Sequence, residues 1–172
     1  MKFLFVLTLI LFSSCIIFKN KKEIVVVKGK IEIHKPYCGG KFPTKEESKG
    51  FLEPYSNATF YVKKKMNNDP KLETVLTFKT DENGNYEFKI KKGSYIVIHE
   101  DKTLSFEDYV KKYNQKTNQF LEYIGDIPAK EVYQQADFSI DIQESKEFNY
   151  AYKTRCFVGL NPIMEYIGPA AQ

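Results

Sequence analysis

The stretch Thr80-Asp81-Glu82-Asn83-Gly84-Asn85-Tyr86-Glu87-Phe88-Lys89-Ile90-Lys91-Lys92-Gly93-Ser94-Tyr95-Ile96-Val97-Ile98 decides the fold. Tyr86, Phe88 and Ile90 alternate with Glu87, Lys89 and Lys91, the period-two pattern of a strand with one buried face. Ahead of it, Asp81 to Asn85 is turn chemistry, with Gly84 free to take positive φ. Asp81, Asn83 and Asn85 also have the alternating oxygen spacing of a calcium loop. Lys92 stands where such a loop needs its twelfth-position Glu, so the hairpin turn is the better reading. After Lys91-Lys92-Gly93, Tyr95–Ile98 is an unbroken apolar run suited to a central strand.

The same alternation extends outward. From Glu23 to His34, Val25, Val27, Ile31 and Ile33 share one phase, while Lys28, Lys30, Glu32 and His34 share the other. Further strands are predicted at Thr59–Lys64, at Glu73–Thr80, around Phe138, Ile140 and Ile142, and around Phe148, Tyr150 and Tyr152. Residues 35–57 read as an irregular connection in which the capping box Thr44-Lys45-Glu46-Glu47 predicts one helical turn. One amphipathic helix is expected after the fifth strand, starting at Ser105 and carrying Phe106, Val110, Tyr113, Phe120 and Ile124 on one stripe. About seven strands with such punctuation predict a mainly β sandwich over residues 23–158, followed by an irregular tail, 159–172.

Composition narrows the function classes. The 172 residues hold 26 Lys+Arg against 22 Asp+Glu, for a net charge of +4. Arg155 is the one arginine, so the dense basic stripe of a nucleic-acid binder is missing. Two His and three Cys leave little for a metal centre, and no phosphate loop, nucleophile elbow or zinc-protease helix occurs. No cofactor is expected.

Residues 1–14 read as a signal peptide: Met-Lys, an apolar run from Phe3 to Phe12, then Ser13-Ser14. The run is shorter than the about 20 residues a spanning helix needs. Phe12-Ser13-Ser14-Cys15 resembles a bacterial lipobox, which implies cleavage before Cys15 and palmitate-type lipidation of that residue. Phe12 departs from the usual Leu, and an ordinary signal peptide with an incidental Cys is the alternative. Residues 15–22 would then be a lipidated tether whose Lys19, Lys21 and Lys22 can meet anionic headgroups. No Asp follows Cys15, which by resemblance to the enterobacterial sorting rule favours the outer membrane.

With Cys15 lipidated, Cys38 and Cys156 remain in an oxidising compartment and are expected to form a disulfide. Cys156 shares the phase of Phe148, Tyr150 and Tyr152, so its sulfur is expected to face the core. A reactive thiol is the competing reading, but no motif supplies an activating base.

The passage Thr80 to Phe88, followed by Lys92-Gly93-Ser94-Tyr95-Ile96-Val97, resembles the carboxypeptidase regulatory-like domains. These are small transthyretin-like, Greek-key sandwiches of bacterial envelope proteins. Gly29-Lys30-Ile31 and Asn57-Ala58-Thr59-Phe60-Tyr61-Val62 fit the first two strands, and together the resemblance covers roughly residues 24–100. Tyr37-Cys38-Gly39-Gly40 with Pro43-Thr44 is similar to a subgroup of Bacteroidetes lipoproteins carrying this domain alone, although the first connection is longer here than is usual. The resemblance implies a non-catalytic binding or assembly module anchored to the membrane, contacting an envelope protein or a glycan. A carbohydrate-binding accessory lipoprotein is the first alternative. The second is a small hydrolase, since transthyretin-fold hydroxyisourate hydrolases use two histidines and an arginine. His34, His99 and Arg155 would have to share one pocket, and the family's terminal Tyr-Arg-Gly-Ser is absent from Tyr166-Ile167-Gly168-Pro169.

Other features carry less. Glu46-Glu47 is a carboxylate pair without a placed cleft, and Lys63-Lys64-Lys65 reads as solvated edge protection. Tyr37, Tyr55 and Tyr166 fall in loops or tail, where they can pack over an edge or meet a ligand. Asn57-Ala58-Thr59 is a glycosylation sequon only in a eukaryotic host.

Overall fold

The computed structural model describes residues 23–64, 67–69, 71–115 and 118–169. Residues 1–22, which hold the expected signal peptide, Cys15 and the expected tether, lie outside the described residues. Strand β1 (Ile24–Lys35) is the spine of the first sheet. Its Val25, Val27 and Ile31 point inward and are buried, as their phase predicts.

Along one edge β1 pairs antiparallel, first with β5 (Asn85–Lys91) and then with β2 (Phe51–Pro54). Along the other it runs parallel to β9 (Lys146–Glu147) and β10 (Tyr150–Lys153). Between β9 and β10 the chain bulges toward Gly29, where an added Cβ would stand 1.9 Å from the Phe148 carbonyl oxygen. Glycine at 29 is therefore a packing requirement.

The second sheet is fully antiparallel, in the order β4 (Thr74–Lys79), β3 (Thr59–Lys63), β6 (Gly93–His99), β8 (Phe138–Ile142). Phe60, Val62, Tyr95, Val97 and Ile140 face Val25, Val27 and Ile31 across the sandwich core. Each such side chain contributes roughly 1.5–3 kcal/mol when fully buried. Ile96 and Ile98, on the opposite face of β6, are buried as well, so Tyr95–Ile98 is a central strand covered on both sides. The turn at Asp81 is as expected. Asp81 Oδ1 accepts from the backbone N–H of Asn83 and Asn85 at 2.8 Å each, and Gly84 has φ 79°.

A second, smaller core lies beside the sandwich. Helix α1 (Phe106–Tyr113), helix α2 (Asp126–Gln134) and the pair β7 (Leu121–Tyr123) and β11 (Met164–Tyr166) enclose Tyr109, Ala129, Tyr133 and Ile163. Ser105 caps α1 reciprocally with Asp108.

Several expectations are corrected. The described residues hold eleven strands rather than about seven, and two α-helices rather than one. β2 is invisible to periodicity because all four of its residues are exposed on an edge, leaving no alternation to read. The single stripe from Phe106 to Ile124 does not form. α1 ends at Tyr113, and the N–H of Ile124 donates to the carbonyl of Ile163, drawing 121–123 into a strand. The 159–172 tail is not irregular throughout, because Ile163 and Met164 are fully buried and β11 is paired.

Lys63 is not solvated. It is 3% exposed on an interior strand, and its Nζ donates to Asn68 Oδ1 at 3.3 Å and to the Asp69 carbonyl at 3.2 Å. Cys156 lies past the end of β10, half-buried in a turn, so its sulfur does not enter the sandwich core. Loss of strand phase beyond Lys153 is the reason.

Candidate functional site

Two regions concentrate chemistry. The first is the end of the first sheet where β1 and β10 stop. Cys38 and Cys156 are bonded there, with S–S 2.08 Å and Cα atoms 5.6 Å apart. The turn from Arg155 to Gly159 is closed by N–H···O bonds in both directions between those two residues. Inside it Phe157 has φ 65°, a left-handed conformation that a bulky residue adopts only when its surroundings impose it. The Phe157 ring is 49% exposed and rests 4.5 Å, centroid to centroid, from Tyr166. Phe51, Leu160 and the disulfide border a shallow recess of about 520 Å³ with it, and Leu52 is exposed beside Phe51 on β2.

The second region is a cavity of about 300 Å³, lined from both the sandwich and the helical side. Antiparallel pairing of β6 with β8 brings the end of one strand beside the start of the other. The N–H of His99 therefore donates to Asp137 Oδ2, and Lys102 Nζ lies 2.8 Å from Asp137 Oδ1. Tyr55 Oη, just past β2, is 3.2 Å from His99 Nε2, and His99 Nδ1 is 3.1 Å from Asp101 Oδ2. Asp101 also accepts from Lys112 and Tyr113.

Burial raises the Asp101 carboxyl, but the hydrogen bonds from His99, Lys112 and Tyr113 outweigh it and hold the group well below the usual carboxylate range. Burial, then the charges of Asp101, Asp137 and Glu100, pushes the Tyr55 phenol up to about 12. It stays protonated within hydrogen-bond distance of His99 Nε2, while the backbone N–H of Asp101 donates to His99 Nδ1 at 3.4 Å. Tyr109 and Tyr152 complete the wall. Burial drives both phenols upward; the Tyr109 hydroxyl has no hydrogen-bond partner among the described residues, and the Tyr152 hydroxyl lies toward the Asp137 carboxylate.

Of the sequence candidates, Cys38 and Cys156 are joined, while Cys15 lies outside the described residues. His99 and Arg155 share the cavity; His34 does not line it, and its Nε2 lies 2.7 Å from the Lys49 carbonyl oxygen. The trio a hydroxyisourate-type site requires is thus not assembled. Arg155 Nη2 donates to the carbonyls of Asn161 and Met164, tying down the turn. Glu47 completes the capping box with Thr44, and Glu46 pairs with Lys49 at 2.9 Å, so that carboxylate pair serves its own turn. Tyr55 lines the cavity and Tyr166 packs between Phe157 and Phe120. Among the described residues no three His, Cys, Asp or Glu side chains come together as a metal site.

Asp101, Asp137, Tyr109, Tyr113 and Tyr152 are site residues that sequence reasoning missed. The available signal was a pair of aspartates at adjacent strand ends, visible only once β6 and β8 are known to pair.

No family model and no curated protein matches the chain. Among solved structures, a minor pilin of Streptococcus agalactiae is similar over 76% of this chain and 44% of its own, at 11% identity and TM-score 0.35. The Bacillus anthracis TIE protein is similar over 74% of this chain and 17% of its own, at 18% identity and TM-score 0.31. The major plantain pollen allergen Pla l 1 is similar over 76% and 94%, at 11% identity and TM-score 0.33. The chain thus spans less than half the length of the first two.

Proposed function

We propose that the chain is an exported, lipid-anchored envelope module of carboxypeptidase regulatory-like, transthyretin-like type, without catalysis of its own. Its working face is the apolar end around the disulfide, and its partner is another envelope protein. Phe157 carries this reading. A left-handed phenylalanine, pinned by the neighbouring Cys156 and left half in solvent, is a conformation with a local cost and no interior packing to justify it. With Phe51, Leu52 and Leu160 exposed nearby and Arg155 at the rim, it has the make-up of an interface anchor.

The placement of the anchor favours protein over lipid as the partner. A tether at residues 15–22 would join the fold at Ile24, the start of β1. The apolar end lies at the other end of that 12-residue strand, roughly 40 Å away at about 3.3 Å per residue. A bilayer holding Cys15 would therefore leave Phe157 facing away from it.

Site-specific photocrosslinking in the native envelope tests this. A photoreactive phenylalanine analogue at position 157 should yield one discrete protein adduct, and the same analogue at the exposed Lys79 position should yield none. Label appearing in lipid alone, or equally from both positions, would overturn the assignment.

A further inference from the structure

We propose that the recess between the edges of β4 and β5 is a docking face for an anionic lipid surface. The inference rests on the lipid anchor proposed above and adds a second, non-covalent contact to it. Neither β4 nor β5 has a second strand neighbour among the described residues, so the sandwich is open along this side. The recess there has a volume of about 560 Å³. Buried Ile90 and Tyr95 and half-buried Leu76 line it, together with Ile24, 64% exposed, and Val75, 43% exposed. Exposed aliphatic side chains beside an open edge mark a contact surface. This one opens where the chain enters the fold: Ile24 is the first residue of β1, and the Lys92 N–H donates to the adjacent Glu23 carbonyl at 3.2 Å.

Charge selects the occupant. Lys64, Lys89 and Lys91 also line the recess, against one carboxylate there, Glu73. Lys92 beside them is taken up by Glu23 at 2.7 Å, whereas none of the three lining lysines has a carboxylate within ion-pair distance among the described residues. Aliphatic side chains ringed by such lysines suit a surface that is anionic at the level of the ammonium groups and apolar beneath. A bilayer of anionic lipids has that layering. In the sequence, Lys19, Lys21 and Lys22 add the same charge between Cys15 and the fold. Ile24 stands nine residues after Cys15, so an anchored Cys15 keeps the recess within roughly 30 Å of the headgroups. Docking under that confinement is in effect intramolecular, and a weak contact suffices.

The chain contains no tryptophan, so Val75→Trp places a single fluorescent reporter in the recess, and Leu52→Trp places one at the far end of the first sheet. Each protein, purified from the envelope, is reconstituted with phosphatidylethanolamine–phosphatidylglycerol vesicles carrying brominated acyl chains. Phosphatidylcholine vesicles of the same bromination are the neutral comparison. The reporter at position 75 should shift to shorter wavelength and be quenched on the anionic vesicles, and the reporter at position 52 should not. Lys64→Gln, Lys89→Gln and Lys91→Gln in the Val75→Trp protein should each lower the docked-to-undocked ratio about fivefold. Hydrogen exchange on the unsubstituted protein is the second readout: amides of residues 74–76 and 89–91 should slow on anionic vesicles, and those of 51–54 should not.

Flotation with the vesicles reads the anchor separately. Flotation without quenching at position 75 overturns the docking face and leaves the anchor standing. A protein that does not float has no anchor; quenching on titration with excess anionic vesicles then supports the docking face alone, and its absence overturns both. Quenching equal on the two lipids or at the two positions also overturns the proposal. So does exchange that slows with rising protein concentration in the absence of vesicles, which would put a second copy of the chain in the recess.

Discussion

Lys102 Nζ and Asp137 Oδ1 lie 2.8 Å apart with both side chains about nine-tenths buried, at the junction of the sandwich and the helical layer. The pair is not isolated: Lys102 also donates to the Gln135 carbonyl, and Asp137 accepts from the N–H of His99. Removing one partner leaves the other as an uncompensated interior charge. Asp137→Asn should therefore cost about 3–5 kcal/mol in urea unfolding. Adding Lys102→Met should recover part of that loss, because the double variant strands no charge and the side-chain amide at position 137 can still accept from the His99 N–H. A double variant as unstable as the sum of the single losses would show that the pair is not the unit at work.

Acid should act through Asp101. Its carboxyl is held below the ordinary range in the folded chain, so folding favours the ionised form. That contribution is complete above the ordinary aspartate pKa and is lost as pH falls through the lowered folded value. The wild-type melting temperature should thus decline below about pH 4. Asp101→Asn should be less stable at neutral pH and show a shallower decline in acid. Parallel pH profiles for the two proteins would assign the acid sensitivity elsewhere.

Lipidation at Cys15 is expected from the short apolar run and Ser13-Ser14. Radiolabelled palmitate fed to the producing cells should enter the wild type and not Cys15→Ser. Equal label in both would remove the membrane anchor from the proposed function.

The sandwich was legible where burial is one-sided. Tyr86, Phe88 and Ile90 are all buried in β5 while Glu87, Lys89 and Lys91 are exposed, as alternation requires. Elements without such contrast were not legible. β2 has no buried residue. α2 carries Pro128 in its first turn, where a helix tolerates proline, but the residue reads as a breaker in isolation. The cavity was illegible for a different reason. Tyr55, His99, Tyr109, Asp137 and Tyr152 come from five separate segments and meet only through strand pairing and the docking of α1. Lys63 shows the same limit, since a lysine run marks a solvated edge until Asn68 and Asp69 fold over it.

The Cys38–Cys156 bond follows from a parallel strand pair. In β1 and β10, His34 stands opposite Lys153, so both chains leave the sheet at the same end. Four residues on from His34 and three on from Lys153, the two cysteines meet in turns outside the core. The bond therefore closes a loop of 118 residues without entering the sandwich. Chain entropy sets its contribution at about 4–5 kcal/mol for a loop of that size, and measured values often run lower. A Cys38→Ser, Cys156→Ser protein should stay folded around β3 and β6, whose inward residues are buried independently of the turns. Native-state amide exchange should show early loss of protection in residues 36–46 and 154–160. β11 should hold, because Ile163 and Met164 are fixed in the second core rather than by the disulfide. Phe157 should lose its left-handed backbone once Cys156 is released, so the photocrosslink proposed at that position should weaken in the same variant. Uniform loss of protection across β3, β6 and the turns would mean that the bond supports the whole fold and not the apolar end alone.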